Sequence, residues 1–296
     1  MWDYFTHVRS SPRHTAAVRF TRRTIWDDRN PWNADRRAYA QTRRSPRPDI
    51  LFLAGLDWRF VSPRSRRDSR LPVINLVQHV RHADPKDARY EYLDHRAIRV
   101  CYSRPIADAL AETGRVNGPV FTVPAGLDLA HEPDPVPPGD RSDDLLVLAS
   151  KQTERGRAIH AALDRPGRKT RLIDRKVPRD ELLTAIRGAR VSVLLPNVTE
   201  GFYFPALEGM ALGTVVVCPD AVGNRGHCLD GVNCFRPPWA EDDIVAATNA
   251  ALALPAEAAA KMLAAGRTTA SEHTLERERA AFLEILYRVP DIWSED

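Results

Sequence analysis

The 296-residue chain predicts an α/β protein made of two doubly wound, Rossmann-like domains that face each other across a cleft. Three observations predict it. Short aliphatic and β-branched runs alternate with helix-like segments. A stretch rich in proline and acids, residues 130–144, interrupts that alternation. The alternation then starts again. Strand, helix, strand is the pattern of a parallel sheet covered by helices on both faces.

In chain order, the opening "MWDYFTHVRSS" reads as a helix and Ala16–Thr21 as the first strand-like run. Asp49–Leu56, Pro72–Gln78, Ala97–Ser103 and Pro119–Gly126 follow as buried strands bounded by turn residues. After Ser103 comes a helix, with Pro105 suited to its first turn and Gly114 to its end. Beyond the linker, Leu145–Ser150, Arg171–Asp174, Arg190–Leu195 and Thr214–Cys218 are expected strands. Asp180–Ala189, Pro205–Leu212 and Glu241–Leu254 are expected helices. Thr274–Val289 is amphipathic, with Leu275, Phe282, Leu283, Ile285 and Leu286 on its apolar face. The expected division is a first domain at residues 1–137, a second at 138–273, and a terminal helix within 274–296 that crosses back to the first domain.

Composition narrows the class. Hydrophobic residues make up 43% and charged residues 28%, an ordinary globular balance. No run of about 18 apolar residues is present to span a membrane, and the N-terminus lacks the apolar core of a signal peptide. A cytoplasmic protein is expected. Cys101, Cys218, Cys228 and Cys234 stand singly, without metal-site spacing, and are expected to be free and buried. The net charge is +4, with arginines crowded into the first hundred residues. They suit either an anionic partner or a solvated face interleaved with Asp27, Asp28 and Asp35. They lack the aromatic-plus-basic pattern of single-strand binders, so no nucleic-acid partner is expected. Peripheral contact with the inner membrane face stays open.

The most informative stretch is "EGFYFPALEGMALG", residues 200–213. It reads as a loop and then a two-turn helix, opened by Pro205 and closed by Gly213. The free N–H groups and dipole at such a helix start favour an anion, commonly phosphate. Glu208 leans toward that end but, as a carboxylate, would repel phosphate. It suits a neutral diol such as ribose, and Glu200, in the loop before the helix, suits a second hydroxylated group. Spacing alone equally allows a dipole-favoured helix acid and a solvated loop acid.

Residues 200–238 resemble the donor-binding segment of the GT-B retaining glycosyltransferases of the family 4-like group (glycosyl transferases group 1). The likeness runs through Glu200, Gly201, Phe202, Pro205, Glu208, Met210, Gly213, Gly223, Asn224, Arg225, Gly231 and Asn233, and extends more weakly over residues 70–255. It implies a GT-B fold and hexosyl transfer from a nucleoside-diphosphate sugar, such as a UDP-sugar, to a hydroxyl acceptor with retention of configuration. The donor is a co-substrate and no further cofactor is implied. The acceptor is a saccharide, a lipid-linked sugar or a small natural product. The resemblance places Glu208 on the ribose and Glu200, Gly201, Phe202 and Tyr203 around the transferred sugar. It makes Lys151 and Arg155 diphosphate ligands. It sets His79, at a strand end of the facing domain, over the sugar; Arg81 and His82 are lesser candidates. His79 and Glu200 are the residues nearest the chemistry. No Asp-x-Asp pair is present, so metal-independent transfer is expected.

There are departures from the pattern. Tyr203 stands where the Gly-Phe-Gly turn has its second glycine, Gly226 where a glutamate often follows Asn-Arg, and Cys234 in place of a glycine. The usual opening apolar strand and Gly-rich loop are missing, so the first domain is expected to lack its first strand. These departures motivate a second reading, a non-catalytic or crippled GT-B protein that binds a nucleotide or sugar. A third is another GT-B chemistry, a nucleotide-sugar epimerase or a phosphorylase; a phosphorylase would need a pyridoxal-phosphate lysine from the few this chain has.

Overall fold

The structure is a computed structural model that describes residues 2–18, 20, 48–66, 68–128 and 134–295. Most of the arginine-rich stretch, residues 21–47, and residues 130–133 of the expected linker lie outside the described residues.

Two four-stranded parallel sheets form the framework. The first contains β1 (Leu51–Ala54), β2 (Val73–Val77), β3 (Ile98–Cys101) and β4 (Val120–Thr122), in that spatial order. Its register pairs Leu53 with Asn75 and Leu76 with Val100. β2 and β3 are buried at every position, as continuous apolar runs covered on both faces should be. The polar exceptions are hydrogen-bonded, Arg99 Nε apart. The Asn75 amide donates to the Leu53 carbonyl at 3.3 Å. The buried Arg99 guanidinium donates to the carbonyls of Tyr92, Leu93, His95, Ala97 and Asn117 at 2.7–3.0 Å, which ties together the loops entering β3 and β4.

The second sheet contains β5 (Asp143–Leu148), β6 (Thr170–Ile173), β7 (Ala189–Leu194) and β8 (Val215–Val217), in the order β6-β5-β7-β8. The winding reverses between β5 and β7. In such sheets ligands bind outside the carboxyl ends of the strands at the reversal.

Helices fill the connections: α1 (Trp2–Ser10), α2 (Arg104–Glu112), α3 (Thr153–Leu163), α4 (Arg179–Gly188), α5 (Phe204–Ala211), α6 (Glu241–Leu252), α7 (Ala256–Ser271), α8 (Leu275–Tyr287) and α9 (Val289–Glu295). The expected strands after residue 48 all form. Of Ala16–Thr21, residues 16–18 and 20 are irregular, and Arg19 and Thr21 lie outside the described residues. A β-like pattern only says that side chains suit a pleated surface; a strand also needs a partner, and none pairs with this run among the described residues. The helices α3 and α7 were not among those expected from the sequence.

After the second sheet the chain returns to the first. Thr274 bridges in parallel to Leu127 and caps α8, its hydroxyl accepting from the Arg277 N–H. Glu278, buried on α8, accepts a 2.6 Å hydrogen bond from the Gly126 N–H. Phe282 meets Tyr4 edge-on at 4.7 Å, and Tyr4 stacks on Phe52 at 5.5 Å. On α9, the Trp293 indole donates to the Ser69 carbonyl at 2.7 Å. The first sheet is thus covered in part by the last helices of the chain. Replacing Phe282 with leucine is expected to cost about 1–2 kcal/mol through the lost ring contacts. Urea unfolding with an unchanged m-value would show that stability alone has changed.

Candidate active site

β5 ends at Leu148 and leads through Ala149 and Ser150 to Lys151; β7 ends at Leu194 and leads to Glu200. The two side chains therefore come from either side of the reversal in the second sheet. They meet there: Lys151 Nζ lies 2.8 Å from Glu200 Oε2. With Lys151 40% exposed, such a pair is worth only about 0–1 kcal/mol. An arriving anion can part it at little cost.

Glu200 opens the loop into α5, and two glycines set that loop's position. A Cβ on Gly201 would lie 2.6 Å from His79 Cα and closer still to the Gln78 carbonyl oxygen. The loop of the second sheet thus rests directly on the strand end of the first, and the Ser103 hydroxyl donates to the Gly201 carbonyl at 3.3 Å. From behind, a Cβ on Gly223 would lie 2.5 Å from the Glu200 carbonyl oxygen and 2.7 Å from the Phe202 nitrogen. Asn224, fully buried, pins the Gly-Asn-Arg turn: its side-chain oxygen accepts from the Ala221 N–H at 3.0 Å and its amide donates to the Pro219 carbonyl at 2.8 Å. Arg225 points away, paired with Asp220 at 2.7 Å. So Gly-Asn-Arg acts as a buttress behind the loop.

His79, two residues after the end of β2, completes the site from the opposite sheet. Its Nδ1 accepts the Arg81 backbone N–H at 3.1 Å. Burial, aided by the Arg81 charge, pushes its pKa down, so the ring is neutral at pH 7 and carries its proton on Nε2. A donor N–H is therefore available on the ring. His79, Lys151, Glu200, Phe202 and Tyr203 all line one cavity of about 400 Å³ between the two sheets. Phe204 and Pro205, at the start of α5, close one side. Tyr203 has φ −110°, a conformation open to any residue, and its buried ring lies 5.2 Å from Lys151 Nζ. Burial raises its phenol well above the usual range, which keeps it neutral.

Not all expected residues gather there. Glu208 is on α5 but only 2% exposed, with Arg179 Nη1 2.5 Å from its Oε1. Arg155, in the first turn of α3, stacks over Trp239 at 5.2 Å and faces Glu241 at 3.6 Å. Gly201 contributes its backbone. Four lining residues carried no spacing signal or a weak one. Arg81 and His82 follow His79, and burial drives His82 down to about 4. Arg89 holds both oxygens of Asp87 at 2.7 and 2.8 Å. Tyr102 accepts from the Gln78 amide at 2.8 Å; its place directly after β3, level with Gln78 after β2 and beside His79, is the signal that marks it.

Behind the loop, His227 rests 5.0 Å from the Phe202 ring, and burial holds it neutral with a pKa near 3. The values for His82 and His227 both lie below the ordinary 6.5. As pH falls through 6.5, the unfolded chain takes up these protons first, and stability is lost from there down toward 4. Each group contributes a slope of up to about 1.4 kcal/mol per pH unit. His227→Leu is expected to make that decline shallower between pH 6.5 and 4. Melting curves over this range, compared with wild type, check it.

All four cysteines are free and buried. Among the described residues no group of acids, histidines and cysteines is placed to hold a metal ion, and no helix is long and apolar enough to cross a membrane.

No family model matches the chain, and no curated protein does. Solved structures do match. Sucrose-phosphate synthase from Thermosynechococcus elongatus is similar over 88% of this chain and 77% of its own, with TM-score 0.66 and 14% identity. HepE from Anabaena, in complex with UDP-glucose, is similar over 81% of this chain and 78% of its own, with TM-score 0.65 and 13% identity. A glycosyltransferase from Rickettsia africae is similar over 90% of this chain and 84% of its own, with TM-score 0.63 and 12% identity. The architecture is that of the GT-B glycosyltransferases.

Proposed function

We propose that this protein is a GT-B glycosyltransferase that moves a hexose from a nucleoside-diphosphate sugar to a hydroxyl acceptor. The observation that carries the reading is the meeting of Lys151 and Glu200 at the reversal point of the second sheet, against His79 from the first. A sugar diphosphate needs a cation at its leaving group, acceptors and donors for its hydroxyls, and a shielded cavity. Lys151 leaves Glu200 for the diphosphate, which also meets the N-terminal N–H groups of α5. Glu200, freed, accepts from sugar hydroxyls while His79 Nε2–H donates to one. Phe202 and Tyr203 wall the sugar. Glu208 accepts from the ribose. Arg155 reaches the diphosphate only by leaving Glu241 and Trp239.

No carboxylate is proposed as a covalent nucleophile. The departing phosphate activates the acceptor hydroxyl on the face it leaves, which retains configuration, and the protein supplies position and charge. UDP is the leading nucleotide, since HepE binds UDP-glucose in the same fold. Transfer proceeds without a divalent metal and in the cytoplasm.

One observation favours a second reading, a GT-B protein that binds without turnover: both motif carboxylates are already paired with cations. A single experiment separates the two. The protein is incubated with UDP-, GDP- and ADP-sugars, with and without EDTA, and release of the nucleotide by slow hydrolysis is followed, with Glu208→Ala as control. Release that survives EDTA and falls in the variant supports the enzyme; binding without release supports the second reading. Neither binding nor release with any donor would sink both.

A further inference from the structure

Two arginines, Arg81 and Arg89, line the cavity from the side of the first sheet. Among the described residues the one carboxylate lining it, Glu200, comes from the other side and is held by Lys151. Arg81 is exposed, in the turn after His79, and its Nε lies 3.4 Å from His79 Nδ1. Its guanidinium has no carboxylate partner among the described residues. Arg89 uses a single nitrogen, Nη1, for both oxygens of Asp87. Its Nε and Nη2 make no hydrogen bond to the described residues, and neither is sealed from solvent. These two N–H groups lie side by side, the edge that grips an oxyanion bidentately. In Arg115 and Arg225 that same edge is filled, by Asp94 and Asp220. Gly55, directly after β1, stands next to it: a Cβ there would lie 4.0 Å from Arg89 Nε, so bare backbone leaves the edge open. None of the roles given to Lys151, Glu200 and His79 accounts for these two cations.

We propose that Arg81 and Arg89 bind an oxyanion, a phosphate or carboxylate group, carried by the hydroxyl acceptor, so that the acceptor substrate of this protein is an anionic compound. The inference rests on the reading of the cavity as a site of sugar transfer. There the donor diphosphate is held from the second sheet, by Lys151 and the first N–H groups of α5. The acceptor takes the opposite wall, and a neutral acceptor would leave both guanidinium groups facing it without an anion. Arg89 receives two oxygens along its Nε–Nη2 edge while Nη1 keeps Asp87, so the ion pair that positions it stays whole. Arg81 adds the free end of its guanidinium from beside His79. A cavity of about 400 Å³ puts the arginines and His79 within reach of one small molecule. The wall is already positive: after burial, the Arg89 charge is the next cause that lowers His82, and the Arg81 charge the next that lowers His79. The same oxyanion occurs free in solution, on a sugar phosphate or a uronate, and at a membrane, on a glycerophosphate headgroup with open hydroxyls.

The test is equilibrium binding to the full chain, in the presence of UDP, of matched charged and neutral compounds. The pairs are glucose 6-phosphate and glucose, glucuronate and glucose, and glycerol 3-phosphate and glycerol, read by ligand-observed NMR. A parallel arm sediments the protein with phosphatidylcholine vesicles, with and without phosphatidylglycerol. The charged member is expected to bind roughly tenfold tighter or more, the value of one charge-assisted contact. Arg81→Gln and Arg89→Gln should each bring the charged-to-neutral ratio down toward one. Arg89→Lys should recover only part of it, since an ammonium lacks the two-pronged edge. Melting curves report whether each variant is folded, and Arg81→Gln breaks no ion pair, so it reads the effect even if Arg89→Gln unfolds. Selection of the soluble anions supports a free acceptor, and selection of the phosphatidylglycerol vesicles alone supports a lipid headgroup. A wild type that binds charged and neutral members alike, or neither, in both arms overturns the proposal. An equal loss of affinity for UDP in the two Gln variants also overturns it, because the arginines would then serve the diphosphate. UDP binding by wild type in either case leaves the donor reading intact, and its absence overturns both.

Discussion

Replacing Gly201 with valine is expected to lower turnover by at least a hundredfold, whichever donor is used. A side chain at this position has nowhere to go: its Cβ alone would lie 2.6 Å from His79 Cα, and the atoms it meets are backbone. Backbone cannot rotate aside as a long side chain can, so the loop itself must move off β2. Glu200 is its neighbour in that loop, and the cavity is bounded by Glu200 on one side and His79 on the other. A displacement of about 1 Å at a reacting centre costs on the order of a hundredfold in rate, and valine requires more than that. Stability should fall less than rate, since overpacking of this kind costs typically about 1–3 kcal/mol. The measurement is the rate of donor hydrolysis beside a urea melt. A folded Gly201→Val with wild-type rate would show that closeness between the sheets is unimportant to the reaction.

Lys151→Ala is expected to cost about ten- to a hundredfold in affinity for a nucleoside diphosphate, the range for losing one charge-assisted contact. The loss should be selective. Uridine has no diphosphate and should bind the variant almost as well as wild type, whereas UDP should not. The difference should shrink at high salt, since Lys151 is partly exposed and its field is screened. The variant should remain folded, because the Lys151–Glu200 pair is a weak surface contact. Equal losses for uridine and UDP would place Lys151 somewhere other than the diphosphate.

What the sequence disclosed about this site was chiefly where strands end. Lys151, Glu200, His79 and Tyr102 all stand just beyond the carboxyl end of a strand, and strands with continuous apolar runs are easy to find. In a parallel fold, residues at such places converge whatever their separation along the chain. Side-chain direction is a different matter. Arg155 has the right position and charge, yet Trp239 and Glu241, more than eighty residues on, draw it the other way. Arg179 lies in a segment with no motif, and its partnership with Glu208 comes from how α4 packs on α5. The helix α7 was hidden for another reason. Its sequence, "AEAAAKMLAAGRTTAS", is rich in alanine, with a small apolar contrast between faces, so propensity rather than periodicity marks it. In residues 16–18 the error ran the other way, from a strand-like pattern to irregular chain.

The return of α8 and α9 to the first sheet also determines the order in which the protein can be made. Tyr4 on α1 is sealed by Phe282, Gly126 by Glu278, and Ser69 by Trp293, contacts that join residues 152 to 278 positions apart. A ribosome delivers β1 to β4 well before any of these partners exists. The second sheet closes with segments that emerge in quick succession, and it can settle during synthesis. The first sheet must wait, with Tyr4 and Phe52 uncovered, until α8 has cleared the exit tunnel. Contacts of such long separation form slowly. The nascent chain therefore has an interval in which its earliest-made half is its least protected, and in that interval a chaperone would find its binding site.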